Sequence, residues 1–561
     1  LLLSLSIASD RMHFDHCVIP PAKNVNYSDT CSLLSHLASK DVFFAGMQGE
    51  FESKQLLLRS PRAANVSITF TDLENSRGNV ISSTQFEWFQ VGFVNCKRTS
   101  RYQDSGGGWR PDPLLLPEED GTVQLQSHFT QSFWITLHIP HEAEPTVLDE
   151  GLLNSEKPSP NSGKPSDYFG TVLVQLAYED LTASSHTLRI PVSLEVWNVA
   201  VPPPSSAHYK IDWRFSLKSL EQVYGERASE VKWSFYEMMY AHRVPPVPRG
   251  KQDVGLYNST WFLNRSWVNE FRLPSKGMSC PNNWTTEAVN RNVAEAAAMV
   301  RTMTANGFHH LYAYGFDEKP QSCIEPIRAL FGEMRRQWPA VRTMAALNWG
   351  KTMPLDLPLS AWVLRYDYYD DTIADRWLQQ GGDHELWLYQ CIEPSGKEYL
   401  NLFIERPLIH ARLLFWLGAT YNITGWLNWV DNLWADCPER ASPHKVLQRI
   451  AGTAFTDFDP ASYVWCRDFP HFWVNGDGYY VYPGPDGPIA STRLAVVRDA
   501  LEDIELFRRL PPEKVSPLLR RLVISPTRWT DDPILLESVR REIGRMASQA
   551  TGWKVDRSSE L

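Results

Sequence analysis

The sequence lacks the signals that mark most nucleotide, cofactor and metal enzymes. It has no Gly-rich phosphate loop, no G-x-S-x-G elbow and no H-E-x-x-H pair, so nucleotide, serine-hydrolase and zinc-protease readings lack support. No D-x-[DN]-x-[DN]-G run supplies a calcium loop. The eight Cys contain no C-x-x-C pair, which weakens zinc and thioredoxin-like readings. No metal or other cofactor is therefore expected. An excess of positive charge is missing too. The net charge is −10 and the pI is near 5.9, which argues against a nucleic-acid or anionic-membrane partner. Beyond the first ten residues there is no long uncharged apolar run, so no membrane-spanning helix is expected.

Aromatic residues, by contrast, are abundant, with 22 Trp, 21 Tyr and 25 Phe. Sugar rings present flat C–H faces that stack on such side chains, so the composition suits a carbohydrate cleft, although a Trp-rich core would account for most of them. The opening LLLSLSIASD reads as the remnant of a signal peptide, residues 1–10. An even Cys count is compatible with disulfides. Sequons stand at Asn26, Asn65, Asn258, Asn264, Asn283 and Asn422, where chance would give roughly three. These signals favour the secretory pathway, with a secreted or lysosomal destination.

At 561 residues the chain is too long for one core. Residues 11–200 contain short period-two runs (VSITFTDL, TQFEWFQVGFV, FWITLHIP, GTVLVQLAYE, HTLRIPVSLEVW) with no amphipathic helix between them, which predicts an antiparallel β-sandwich. A polar, Pro- and Ser-rich stretch from His141 to Tyr168 reads as a loop. VPPPSS at 201–206 is a linker, and after it the pattern changes. Strand-like runs alternate with helical ones over 207–515, which predicts a TIM-like (β/α)8 barrel with HHLYAYG near its fourth strand. Residues 516–561 read as a helical tail.

Barrel enzymes place their chemistry where strands end. Asp317 and Glu318 follow HHLYAYG at such a point, whereas the other Asp-Glu pair, Asp149 and Glu150, falls in the polar loop and reads as solvated charge. Adjacent acids reach a sugar from one side and fit poorly the usual pair of carboxyls flanking the bond. They suit substrate-assisted cleavage, in which the sugar's own 2-acetamido oxygen attacks the anomeric carbon. Glu318 would then protonate the leaving oxygen while Asp317 accepts the acetamido N–H. Candidates for holding the sugar are Trp213 and Arg214 at the first strand, His242 (beside Arg243) before the second, and Tyr369 (after Tyr368) at the sixth. Trp387 and Tyr389 on the seventh and Asn428 and Trp429 on the eighth complete the set. Asp367 and Asp431 either bind hydroxyls or cap helices. For every aromatic the alternative is packing inside the barrel.

The YGFDE segment, the run WLYQC…P…YLNLFIERPLIHARLLFWLGATYNITGWLNWVDNLW and the ending GDGYYVYPGPDGPIASTRLAVVRDALEDIELFRRL resemble glycoside hydrolase family 123. The likeness spans roughly residues 100 to 510 and includes GGGWRPDPLLLP. It implies a β-sandwich joined to a (β/α)8 domain and a retaining, exo-acting β-N-acetylgalactosaminidase. It also implies Asp317 as the acetamido-orienting acid, Glu318 as general acid/base, and a glycan or glycoconjugate with terminal β-GalNAc as substrate. A β-N-acetylglucosaminidase or mixed hexosaminidase is the alternative within enzymes. A silent glycan-binding protein is the alternative outside them, with the retained acids against it.

Overall fold

The computed structural model describes residues 14–97, 99–100, 106–147, 167–178, 185–248, 260–263, 265, 267–273, 278–280, 283–382, 384–434, 446–460 and 474–550. Residues 1–10, expected to be a signal-peptide remnant, Asp149-Glu150, Asn258, Asn264, Cys437, Cys466 and the last eleven residues lie outside them.

The first compact unit is a sandwich of two sheets. One orders Asp15–Ile19, Phe51–Arg59, Thr130–His138, Phe86–Cys96 and Gly108–Leu115. The other orders Val42–Gln48, His186–Ala200, Tyr168–Tyr178, Ala64–Phe70 and Val123–Leu125. The pairings from Asp15–Ile19 through Phe86–Cys96 and those of the second sheet are antiparallel except Val42–Gln48 with His186–Ala200, which run parallel. Period two sets the core. Leu56, Leu58, Phe133 and Ile135 from one sheet meet Val66, Ile68, Val172, Val174, Val192 and Leu194 from the other, all buried. Residues up to Phe93, Leu114–Ala200 and Arg449–Asp457 make up this unit, and Val94–Pro113 groups with the second. That interleaving has no counterpart in the sequence pattern.

The second unit is a parallel barrel. Its strands are β1 Lys210–Phe215, β2 Pro246–Pro248, β3 Asn269–Arg272, β4 Leu311–Tyr314, β5 Arg342–Ala346, β6 Ala361–Arg365, β7 Glu385–Tyr389 and β8 Gly425–Asn428. They pair in the order β2-β1-β8-β7-β6-β5-β4-β3, a ring closed everywhere except between β2 and β3. Helices follow most strands. Thr286–Ala305 starts at Thr285, whose Oγ1 accepts from the Ala288 N–H at 3.1 Å, and its buried Val289, Val293, Ala296, Val300 and Met303 repeat at helical spacing. It ends before Gly307, which takes φ +86°. After β5 only the short turn Gly350–Thr352 replaces a helix. Thr492–Phe507 is buried on every side, so its charges are paired: Arg493 with Asp112 at 2.9 Å, and Asp503 with Arg412 at 2.6 Å.

Among the described residues two disulfides are present, Cys17–Cys31 and Cys280–Cys323, while Cys96 and Cys391 are free thiols. Cys280–Cys323 joins the connection after β3 to the start of the helix Ile324–Gln337 that follows β4. It closes a loop of sequence separation 43, for which chain entropy gives up to about 4 kcal/mol. Cys280→Ser with Cys323→Ser is therefore expected to lower the thermal midpoint and to remove most of its sensitivity to reductant. An unchanged melt would place the stability of these loops in packing alone.

Candidate active site

The end of β4 solves a geometric problem. Tyr312 and Tyr314 face the lumen, and successive strand residues alternate sides, so two neighbouring acids would normally point opposite ways. Phe316 and Glu318 instead adopt φ +58° and +50°. Such left-handed turns cost roughly 1–2 kcal/mol each for residues with a Cβ. The backbone stays anchored to β5, since the N–H groups of Gly315 and Glu318 donate to the carbonyls of Met344 and Ala346, both at 2.9 Å. Phe316 swings out against Phe331 in the helix layer, with ring centroids 5.5 Å apart. Asp317 and Glu318 are both left exposed at the C-terminal mouth of the barrel.

The two acids have different surroundings. The Tyr314 hydroxyl donates to Asp317 Oδ1 at 2.9 Å, and Arg272 Nη2 stands 3.5 Å from Oδ2. The Tyr314 ring lies between two guanidinium groups, Arg214 at 4.2 Å from its centroid and Arg272 at 5.2 Å. Arg214 is buried, and its Nη2 donates to Glu270 at 2.7 Å and Asp212 at 3.0 Å. Burial pushes the Asp212 carboxyl well above its ordinary range, against the pull of Arg214 and with Glu270 adding to the rise. Among the described residues Glu318 meets only neutral donors. The Tyr389 hydroxyl donates to its Oε1, and Asn348 Nδ2 lies 3.5 Å from the same oxygen. Asn348 Nδ2 also donates to the Tyr389 hydroxyl at 2.7 Å, and its Oδ1 accepts from the Arg365 N–H at 2.8 Å. Burial, and then the Glu318 carboxylate, hold the Tyr389 phenol protonated.

Of the residues singled out from sequence, Asp317, Glu318 and Tyr389 meet at the mouth, and Arg214 lies one layer below. Trp387 faces the lumen deeper down, where its Nε1 donates to Glu385 at 2.8 Å and its ring leaves no room for a side chain at Gly425. Trp429 is half-buried, with its Nε1 3.3 Å from Asp477. Four other candidates lie away from the acids. Trp213 and Arg214 are neighbours on β1 and cannot share a face. Arg214 takes the lumen, so Trp213 turns outward onto Tyr480, 5.3 Å away, and donates to Asp431. Asn428 pairs with Trp213 across β1 and β8, shares its outward face and donates to the Val430 carbonyl at 2.9 Å. His242 ends the helix before β2, at the N-terminal end of the barrel and opposite the acids. Its Nδ1 lies 2.8 Å from the Met238 carbonyl, and burial lowers it to about 3, a neutral packing histidine. Tyr369 packs on Tyr421, with centroids 5.5 Å apart, in the helix layer.

Arg243 donates to the Pro202 carbonyl at 2.7 Å, at the same N-terminal end as His242. Tyr368 lies beside Arg365, which also forks onto Asp367 at 2.6 and 2.8 Å. Asp431 is buried and pushed up to about 7. Asn65 and Asn422 are exposed and Asn26 is half-buried. Tyr314, Arg272, Glu270 and Asn348 were not singled out from sequence. The signal for Tyr314 and Asn348 is their place at the ends of recognised strands, whereas β3, which carries Glu270 and Arg272, is four residues within an irregular aromatic stretch. Among the described residues no cluster of His, Cys, Asp and Glu is arranged to hold a metal ion, and no helix is long and apolar enough to cross a membrane.

No curated protein matches the sequence. Among solved structures, a family 123 glycoside hydrolase from Clostridium perfringens superimposes with a TM-score of 0.67 at 12% identity, covering 95% of this chain and 99% of that one. A GH2 beta-galacturonidase from Eisenbergiella tayi gives a TM-score of 0.30 at 12% identity, covering 82% of this chain and 70% of that one. The first likeness carries the sandwich-plus-barrel fold. The family model for the glycoside hydrolase 123 catalytic domain matches residues 285–510, a span that contains Asp317, Glu318, Asn348 and Tyr389. Residues 285–510 thus match the catalytic domain of glycoside hydrolase family 123, and the chain carries a glycoside hydrolase domain on its barrel.

Proposed function

We propose that this chain is a retaining, exo-acting β-N-acetylgalactosaminidase that removes terminal non-reducing β-GalNAc through an oxazolinium intermediate. The observation that carries the reading is the unequal support of two adjacent acids. Asp317 is flanked by a cation and a phenol donor, which fix it in place as an acceptor for the acetamido N–H. Glu318 has only neutral donors among the described residues, which suits a group that must take up and release a proton. Both stand at one strand end and approach the substrate from one side, which suits attack by the sugar's own acetamido oxygen.

In the first step the acetamido oxygen attacks the anomeric carbon while Glu318 gives its proton to the departing glycosidic oxygen. Asp317 accepts the acetamido N–H, aims the carbonyl and balances the positive charge that develops on the ring. Water then opens the oxazolinium from the vacated face, and Glu318 takes its proton. Two inversions at the same carbon give net retention. The substrate class is glycans and glycoconjugates, and glycolipid glycans, in whose hydrolysis the Clostridium perfringens protein is described, are one source of terminal sugars. Two disulfides fit passage through the secretory pathway, to a secreted or lysosomal destination.

The test is hydrolysis of aryl β-GalNAc and β-GlcNAc glycosides, with the first-formed sugar followed by NMR. Preferential cleavage of β-GalNAc, releasing the β-anomer first, is the expected result. Faster β-GlcNAc cleavage would make the protein a hexosaminidase of different preference. GalNAc binding without cleavage of either glycoside would make it a lectin on a barrel scaffold.

A further inference from the structure

The contacts at Glu318 have a direction. The Arg365 backbone N–H can only donate, so its 2.8 Å contact fixes the carbonyl end of the Asn348 amide. The other end, Nδ2, must then donate, and it does so to the Tyr389 hydroxyl at 2.7 Å. With one lone pair occupied, that hydroxyl turns its single proton to Glu318 Oε1. The relay therefore runs one way, from the β6 backbone through Asn348 and Tyr389 to one oxygen of the acid. Oε1 receives Tyr389 and, more weakly, Asn348, and both of its acceptor directions are used. Oε2 has no protein partner among the described residues.

Resting on the reading of Glu318 as proton donor, we propose that Tyr389 is a positioning residue that binds Glu318 Oε1 as an acceptor and so assigns the transferred proton to Oε2. Fixing a free Glu side chain costs rotamer freedom. Tyr389 takes up that ordering cheaply because its own ring is already locked among Tyr314, Trp387 and Leu427 in the lumen cluster. Burial keeps its phenol a donor. The Cys391 thiol, the other ionisable group that β7 brings near the acid, is likewise pushed up by burial and stays uncharged. The role differs from the sugar contact expected of Tyr389 from sequence. It explains why a half-exposed loop acid can act with defined geometry.

The experiment uses the full chain and two variants that break the relay differently. Tyr389→Phe removes the hydroxyl. Asn348→Asp keeps the shape but presents an acceptor, so the Tyr389 proton turns away from Glu318. Both are assayed on aryl β-GalNAc glycosides with poor and with activated leaving groups. Both variants are expected to lose about 10–100-fold in kcat on the poor leaving group, with KM near wild type and little loss on the activated one. Equal losses on both glycosides, or a rise in KM alone, would show packing or sugar binding and overturn the proposal. Glu318→Gln separates this from the underlying reading, because leaving-group independence in that variant means Glu318 is not the acid. The hydrogen bond is then read without turnover, from the Glu318 carboxylate stretch in infrared difference spectra of wild type and Tyr389→Phe. A band that does not move rejects the placement.

Discussion

Glu318→Gln is expected to lower kcat on a β-GalNAc glycoside with a poor leaving group by about 10²–10⁴-fold while leaving the melting curve unchanged. The amide keeps the shape of the side chain but has no proton to give. Its environment supplies no substitute, because among the described residues its neighbours are a phenol held protonated and a carboxamide. Asp317→Asn should fail differently. The acetamido oxygen must be aimed whatever the leaving group, so the loss, about 10²–10³-fold, should be the same on activated and unactivated glycosides. It also leaves Arg272 facing an amide, a change at an exposed position worth little to folding, since the Asp317 side chain is 50% exposed. A steady-state comparison across leaving groups with the two variants distinguishes the roles. Identical leaving-group dependence in both would merge them into one electrostatic function.

The architecture was legible because two periodicities meet at a Pro-rich linker. Alternation before VPPPSS and strand–helix alternation after it are backbone consequences of a sandwich and a barrel. The acids were singled out because a barrel's chemistry sits at strand ends and only one Asp-Glu pair of the sequence stands at such an end. The remaining site was not. Side-chain parity on β1 separates Trp213 from Arg214, and a sequence read without register assigns both to one face. His242 lies within a few residues of a strand, but at its N-terminal end, and chain proximity does not tell the two ends apart. Phe316 and Glu318 at positive φ leave no trace in composition, because nothing but the fold around them selects that conformation. The Tyr389–Glu318 contact bridges 71 positions and depends on two strands reaching the same height in the barrel.

The second large effect is on stability and lies beneath the acids. Arg214→Met removes a buried cation that touches both Asp212 and Glu270 in the lumen. Breaking a buried ion pair from one side typically costs 3–5 kcal/mol, because the remaining charge is left without a partner or solvent. A comparable drop in barrel stability is expected, read as a lowered thermal midpoint. Adding Asp212→Asn and Glu270→Gln should restore much of it by removing the orphaned charge, and Arg214→Lys should not, since the shorter ammonium side chain does not place a donor where Nη2 reaches both carboxyls. Asp212→Asn alone should be mild. Burial raises the folded Asp212 above its unfolded value, so its proton is favoured in the fold. Wild type then has the full contribution of that group below about pH 4 and loses it as pH rises toward the folded value. The midpoint of Asp212→Asn should therefore gain on wild type from pH 4 upward. A gap that narrows with rising pH would mean the Asp212 carboxylate is charged in the fold. In that case Arg214 would sit between two anions, and the Tyr314 ring above it would owe its place to their combined charge.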